Sequence, residues 1–134
     1  MDLNLIESGN VWKYLGMKIV LDSEGCSGVQ VKNTDNLRQV YGGMHGGIIS
    51  TAVDAAAAVT VNEAVGKDYA ATTVELKVNY LLPVVDSDIF AYAKLVKRGK
   101  QLMVTTVEVL DNRAEVVAIG IVTYIVKPIA LNKE

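Results

Sequence analysis

The sequence predicts an α+β fold in which an antiparallel sheet of about six strands wraps around one long central helix. Two textures carry that expectation. From about Gly46 to Ala64 the chain is rich in alanine and apolar on every side, which marks a buried helix rather than a surface one. From Ala71 onward Val74, Leu76, Val78 and Tyr80 alternate with Thr73, Glu75, Lys77 and Asn79, the period of a half-buried antiparallel strand. A lone helix that is apolar all round can bury itself only inside the curvature of such a sheet.

Before the helix, Leu5, Ile6, Val11, Trp12 and Leu15 form a loose helical pattern over Asn4 to Leu15, interrupted at Gly9. Met17 to Asp22 reads as a strand, Glu24 to Gly28 as a turn and Val29 to Lys32 as the returning strand. Asn33 to Gly43 is a polar, glycine-rich loop, and Gly66 is a natural C-terminal stop for the helix that follows it. Pro83 ends the first long strand. Three more strands are expected near Asp88 to Val96, Leu102 to Leu110 and Glu115 to Val126, joined by turns at Arg98-Gly99-Lys100 and Asp111-Asn112-Arg113. The tail after Pro128 is expected to fray. With no repeat, linker or low-complexity run, residues 1–134 read as one domain.

Composition narrows the function classes. With 51% hydrophobic residues in 134, the chain has ample apolar surface for one core. Thirteen basic against 15 acidic residues give a net charge of -2, which lacks the electrostatic footprint of a nucleic-acid or anionic-membrane binder. The opening Met-Asp-Leu-Asn-Leu-Ile-Glu is acidic and amphipathic, unlike a secretory leader, so a cytoplasmic location is expected. Asp54 interrupts the central uncharged run, leaving segments short of the roughly 20 residues of a membrane span. Cys26 is the only cysteine and His45 the only histidine, so neither an intrachain disulfide nor a zinc ligand set is expected.

Asp54 is the residue that demands a reason. An unpaired carboxylate in a dry interior is costly enough that it shifts its proton affinity or finds partners. Helical spacing stacks it with Ser50 and Thr51 on one face, while Ala52, Ala55, Ala56, Ala57 and Ala58 keep the helix thin enough for the sheet to close on it. His45, Gly46 and Gly47 open the helix, where free N–H groups and the macrodipole favour negative charge.

The combination of a glycine-rich loop, His45-Gly46-Gly47, the acid at 54, Thr72 to Tyr80 and Arg98-Gly99-Lys100 resembles the hotdog-fold thioesterases. In particular it resembles the small acyl-CoA thioesterases of the phenylacetate-degradation type (PaaI-like), over nearly the whole chain. The resemblance implies hydrolysis of an acyl-CoA or related thioester to a free acid and a thiol. Asp54 would then be the nucleophile or the base that activates water, and the Gly46 N–H would polarise the thioester oxygen, glycine leaving room for the acyl group. His45 would orient the loop or border the thioester. Gln39 stands where the family commonly has asparagine, six residues before the histidine, and reaches one methylene further. Thr73 matches a hydroxyl that helps hold the attacking water. Gly47, Ser50, Asn79 and Tyr80, with Met44 and Leu82, are expected to line the substrate, and Lys97, Arg98, Gly99 and Lys100 to meet the phosphates of coenzyme A.

The resemblance also implies a dimer, commonly doubled into a tetramer, with Gly46 and Asp54 of opposite protomers facing one substrate. No metal and no resident cofactor is implied; coenzyme A enters as part of the substrate. Blander readings stand beside these roles: Asp54 as a structural acid bonded to Ser50, Thr51 or a neighbouring subunit, and the lysines as a solvated turn. The alternative function is a non-catalytic acyl-CoA or lipid binder, for which the Gln39 departure is the best support.

Overall fold

The computed structural model describes residues 1–130. In chain order it contains α1 (Leu3–Glu7), α2 (Asn10–Leu15), β1 (Lys18–Leu21), β2 (Ser27–Val31), a 3-10 turn (Asp35–Leu37), α3 (Gly46–Val65), β3 (Tyr69–Tyr80), β4 (Ile89–Arg98), β5 (Leu102–Leu110) and β6 (Val116–Pro128). The strands form one antiparallel sheet in the order β1-β2-β4-β5-β6-β3, wrapped around α3, as the sequence predicts.

Local chemistry sets the boundaries. The pattern from Asn4 to Leu15 becomes two short helices. The Asp2 carboxylate caps α1 by accepting the Asn4 N–H at 2.8 Å, Ser8 ends it, and α2 restarts after Gly9. The β1–β2 turn closes on Asp22, whose side chain accepts the N–H groups of Glu24 and Cys26, both at 2.8 Å. The last four residues of the tail lie outside the described residues.

Val29, Val31, Ile89, Val107, Val109 and Val122 of the sheet are sealed from solvent against Ala52, Val53, Ala56, Ala57, Val59 and Val61 of α3. Each buried valine of this kind contributes about 1.5–3 kcal/mol. The alanines bring the helix axis close to the strands. At the tightest point Gly120 of β6 makes the approach possible: a Cβ there would stand 2.7 Å from Val53 Cγ1 and 3.1 Å from the Lys77 carbonyl oxygen. α3 has the length and mean hydropathy, 1.3, of a membrane-spanning helix, so the length argument made from the sequence does not hold; half of that window is buried inside this sheet.

α3 is covered on most sides, and Ser50, Thr51 and Asp54, which helical spacing stacks on one face, remain half-buried along one stripe with Ala58. One feature departs from the sequence pattern. In β3 the alternation breaks: the register against β6 shifts between Thr73 and Glu75, a bulge that leaves Val74 57% exposed. Thr73 therefore faces α3 together with Tyr80, although a strict period of two would put them on opposite faces. β3 is also an edge strand of 12 residues, hydrogen-bonded only to β6.

Gly120→Val should cost roughly 1–3 kcal/mol by overpacking the helix–sheet contact. Urea unfolding at fixed protein concentration checks this, and a midpoint equal to wild type would show that the contact relaxes.

Candidate active site

The start of α3 is capped by the chain's own histidine. His45 keeps extended backbone, φ -61° and ψ 134°, and its Nδ1 accepts the Gly47 N–H at 2.9 Å. The Ile48 and Ile49 N–H groups turn back to the His45 carbonyl at 2.9 and 3.4 Å. The Gly46 N–H is left with no acceptor among the described residues. Because Nδ1 accepts, the proton of the neutral ring sits on Nε2.

The loop before the cap is held by its backbone. His45 N–H donates to the Leu37 carbonyl at 2.7 Å, Met44 N–H to Val84 at 2.8 Å and Gln39 N–H to Gly43 at 2.8 Å, and Gly42 turns at φ +96°. The Gln39 side-chain oxygen accepts the Tyr41 N–H, which leaves its Nε2 without an acceptor among the described residues. Gln39, Met44, Gly46, Ile49, Tyr80 and Leu82 line one open groove of about 350 Å³. The Tyr80 hydroxyl donates to the Gly46 carbonyl at 2.8 Å and pairs with Ser50 Oγ. Its ring explains the glycine: a Cβ at position 46 would lie 3.2 Å from Tyr80 Cζ. Glycine at 46 thus makes room for the Tyr80 ring, and the residue still borders the groove where the sequence reading has an acyl group approach.

Asp54 lies two turns further along α3 and is half-buried. Its Oδ1 accepts the Thr73 hydroxyl at 2.7 Å and the Tyr124 hydroxyl at 2.7 Å, and Tyr124 also stands 2.9 Å from the Asp54 carbonyl oxygen. Oδ2 accepts no hydrogen bond among the described residues and is not a sealed polar atom. The expected structural partners are engaged elsewhere: Thr51 donates to the Gly47 carbonyl at 2.8 Å and Ser50 meets Tyr80. Burial, and then the Asp54 carboxylate beside it, push the Tyr124 phenol well above its ordinary range, so it remains a protonated donor. The result is a carboxylate gripped through one oxygen and open at the other.

The sequence-derived residues therefore fall into separate groups. Gln39, His45, Gly46, Gly47, Ser50 and Tyr80 gather at the helix start, and Asp54 meets Thr73. Eight residues of helix, about 12 Å, separate Gly46 from Asp54, and Asp54 does not line the Gly46 groove. Asn79 is corrected outright: it lies on the outer face of the sheet beside Lys77, Ile119 and Ile121, because its neighbour Tyr80 is the one turned inward. Lys97, Arg98, Gly99 and Lys100 are at the β4–β5 turn, where Arg98, Gly99 and Lys100 border a cavity with Val65 at the far end of α3. In one chain that is about 30 Å of helix from Gly46. Tyr124 was missed by the sequence reading. Its only signal is a tyrosine among the buried alternating residues of the last strand, whose hydroxyl needs a partner.

Comparison with known proteins fits this geometry. The Thioesterase superfamily profile matches residues 41–118, from the loop before α3 into β6. The 1,4-dihydroxy-2-naphthoyl-CoA hydrolase of Listeria monocytogenes is 25% identical over 113 residues, covering 84% of this chain and 92% of that one. A thioesterase from Haemophilus influenzae superposes with a TM-score of 0.88 at 17% identity, over 98% of this chain and 92% of its own, and shares the fold. A Bacillus halodurans protein solved with CoA gives 0.82 at 25% identity, over 93% of this chain and 80% of its own. A helix amide end and a hydroxyl-held carboxylate on one sheet-wrapped helix thus sit within a profile spanning more than half of the sequence, and the chain belongs to the thioesterase superfamily as a thioester hydrolase.

Proposed function

We propose that this chain hydrolyses an acyl-CoA thioester, in the manner of the phenylacetate-degradation type, with Asp54 as base or nucleophile and the Gly46 N–H as the oxyanion donor. The observation that carries the reading is the Asp54 carboxylate, held by two hydroxyls through Oδ1 and open at Oδ2, the one charged side chain in the first four turns of α3. A carboxylate so held needs no reorganisation before it acts. As base, it takes a proton from water while the water oxygen bonds to the thioester carbon. Negative charge then develops on the carbonyl oxygen, where a free amide at a helix start stabilises it. The C–S bond breaks, the thiolate receives the proton from Asp54, and a carboxylic acid and coenzyme A leave. As nucleophile, Oδ2 bonds the carbon first, expels the thiolate and is released by water.

Within one chain Gly46 and Asp54 are too far apart to serve one carbonyl, and this favours a site completed by a second copy. The unpaired β3 edge is the natural place for that copy to add, extending the sheet through its free N–H and C=O groups. A two-fold axis across β3 brings the start of one α3 toward the middle of the other. Such a dimer, doubled into a tetramer, lets the Lys97, Arg98 and Lys100 tip of a neighbouring chain reach the phosphates of coenzyme A, with Gln39 beside the thioester and Met44 and Leu82 along the acyl group. The CoA found with the Bacillus halodurans relative and the CoA thioester in the name of the Listeria hydrolase support this substrate class. No resident metal or cofactor enters the scheme, which suits a cytoplasmic enzyme acting on metabolic acyl-CoAs.

Free-thiol release across aromatic and aliphatic acyl-CoAs is the direct test. Asp54→Asn should lower turnover on the best substrate by roughly a hundredfold or more while the protein still melts cooperatively. Turnover near wild type would remove the carboxylate from the mechanism, and a panel without any thiol release would favour the non-catalytic binder. Sedimentation should give at least a dimer; a monomer that retains full turnover would exclude the shared site.

A further inference from the structure

We infer that Tyr124 is a positioning residue for hydrolysis: with Thr73 it locks the Asp54 carboxylate so that Oδ2 alone is the reacting oxygen. The inference rests on the proposed role of Asp54 and goes beyond it by assigning the two oxygens different duties.

Thr73 of β3 and Tyr124 of β6 are direct register partners in the antiparallel ladder, so their inward side chains stand side by side. Both hydroxyls converge on one oxygen, Oδ1, at 2.7 Å each. Two donors occupy the lone-pair directions of that oxygen and fix the rotation of the carboxylate. Tyr124 adds a second restraint, because its hydroxyl also lies 2.9 Å from the Asp54 carbonyl and ties the side chain to its own backbone. Tyr124 is 3% exposed, so its position is set by the packing of the core rather than by solvent. Thr73 of β3 and Tyr124 of β6 are the groups that face the carboxylate, and no Lys, Arg or His ion-pairs with it among the described residues. Two hydrogen bonds to Oδ1 leave the lone pairs of Oδ2 directed away from both donors.

A residue that only filled space would leave the pH dependence of the reaction untouched. Tyr124→Phe keeps the ring and deletes the hydroxyl. It should lower kcat by about tenfold or more with KM within about twofold, because a misaimed catalytic group loses rate rather than binding. The acid limb of the kcat/KM profile should also move to higher pH, because the carboxylate loses a donor. In an Asp54→Asn background the same substitution should cost no further rate, since no reacting carboxylate is then left for the hydroxyl to position.

Wild-type kcat and an unmoved acid limb in folded Tyr124→Phe, with Asp54→Asn inactive, would overturn the positioning role alone. Activity retained in Asp54→Asn would overturn the reading beneath it and this inference together. If Tyr124→Phe does not fold, 3-fluorotyrosine at position 124 keeps the shape and strengthens the donor. The acid limb should then move to lower pH, and an unmoved limb would overturn the role.

Discussion

The close approach of α3 to the sheet is the constraint from which the rest follows. Aspartate has one of the shortest charged side chains, and Asp54 reaches hydroxyls on β3 and β6 only because alanines at 52, 55, 56 and 57 and the missing side chain at Gly120 let the helix settle against the strands. Packing and chemistry are therefore one problem here. A bulkier helix would widen the gap, and the carboxylate would then be solvated by water instead of held by two fixed donors.

The same helix supplies both halves of the chemistry by different means. Its start offers a backbone N–H that the His45 cap leaves free, a consequence of Nδ1 choosing Gly47 and of the His45 carbonyl serving Ile48 and Ile49. Its middle offers a charged side chain gripped by neighbours far away in sequence. On the reading advanced above, the separation between the two is what makes a second subunit part of the reacting centre rather than an accessory to it.

Much of this was legible in the sequence because hydrophobic period and punctuation are local. α3 runs to Val65 and stops at Gly66, which takes φ +80°, and β5 spans Leu102–Leu110 as its alternation indicates. What was hidden depends on partners distant along the chain. Tyr124 meets Asp54 across 70 positions, and no spacing rule links them. A second reason for glycine at 46 was also hidden, because the ring that needs the room belongs to Tyr80, more than thirty residues on. Asn79 was assigned to the substrate side because its segment was matched as a block, whereas strand pleating turns adjacent residues to opposite faces.

The bulge at Val74 acts as a phase shift in β3. Upstream of it one parity of residue numbers points inward, and downstream the other does, so Thr73 and Tyr80 reach the same helix from positions of unlike parity. Deleting that one surplus residue would leave the ladder free to re-form every bond with β6. With 73↔124 and 75↔123 then consecutive pairs, the hydroxyl at the carboxylate and the ring at the helix start would both stay inward, so what the surplus residue adds is a local bend and twist of the edge strand, and it is the one position here where a shorter chain keeps the facing of both groups.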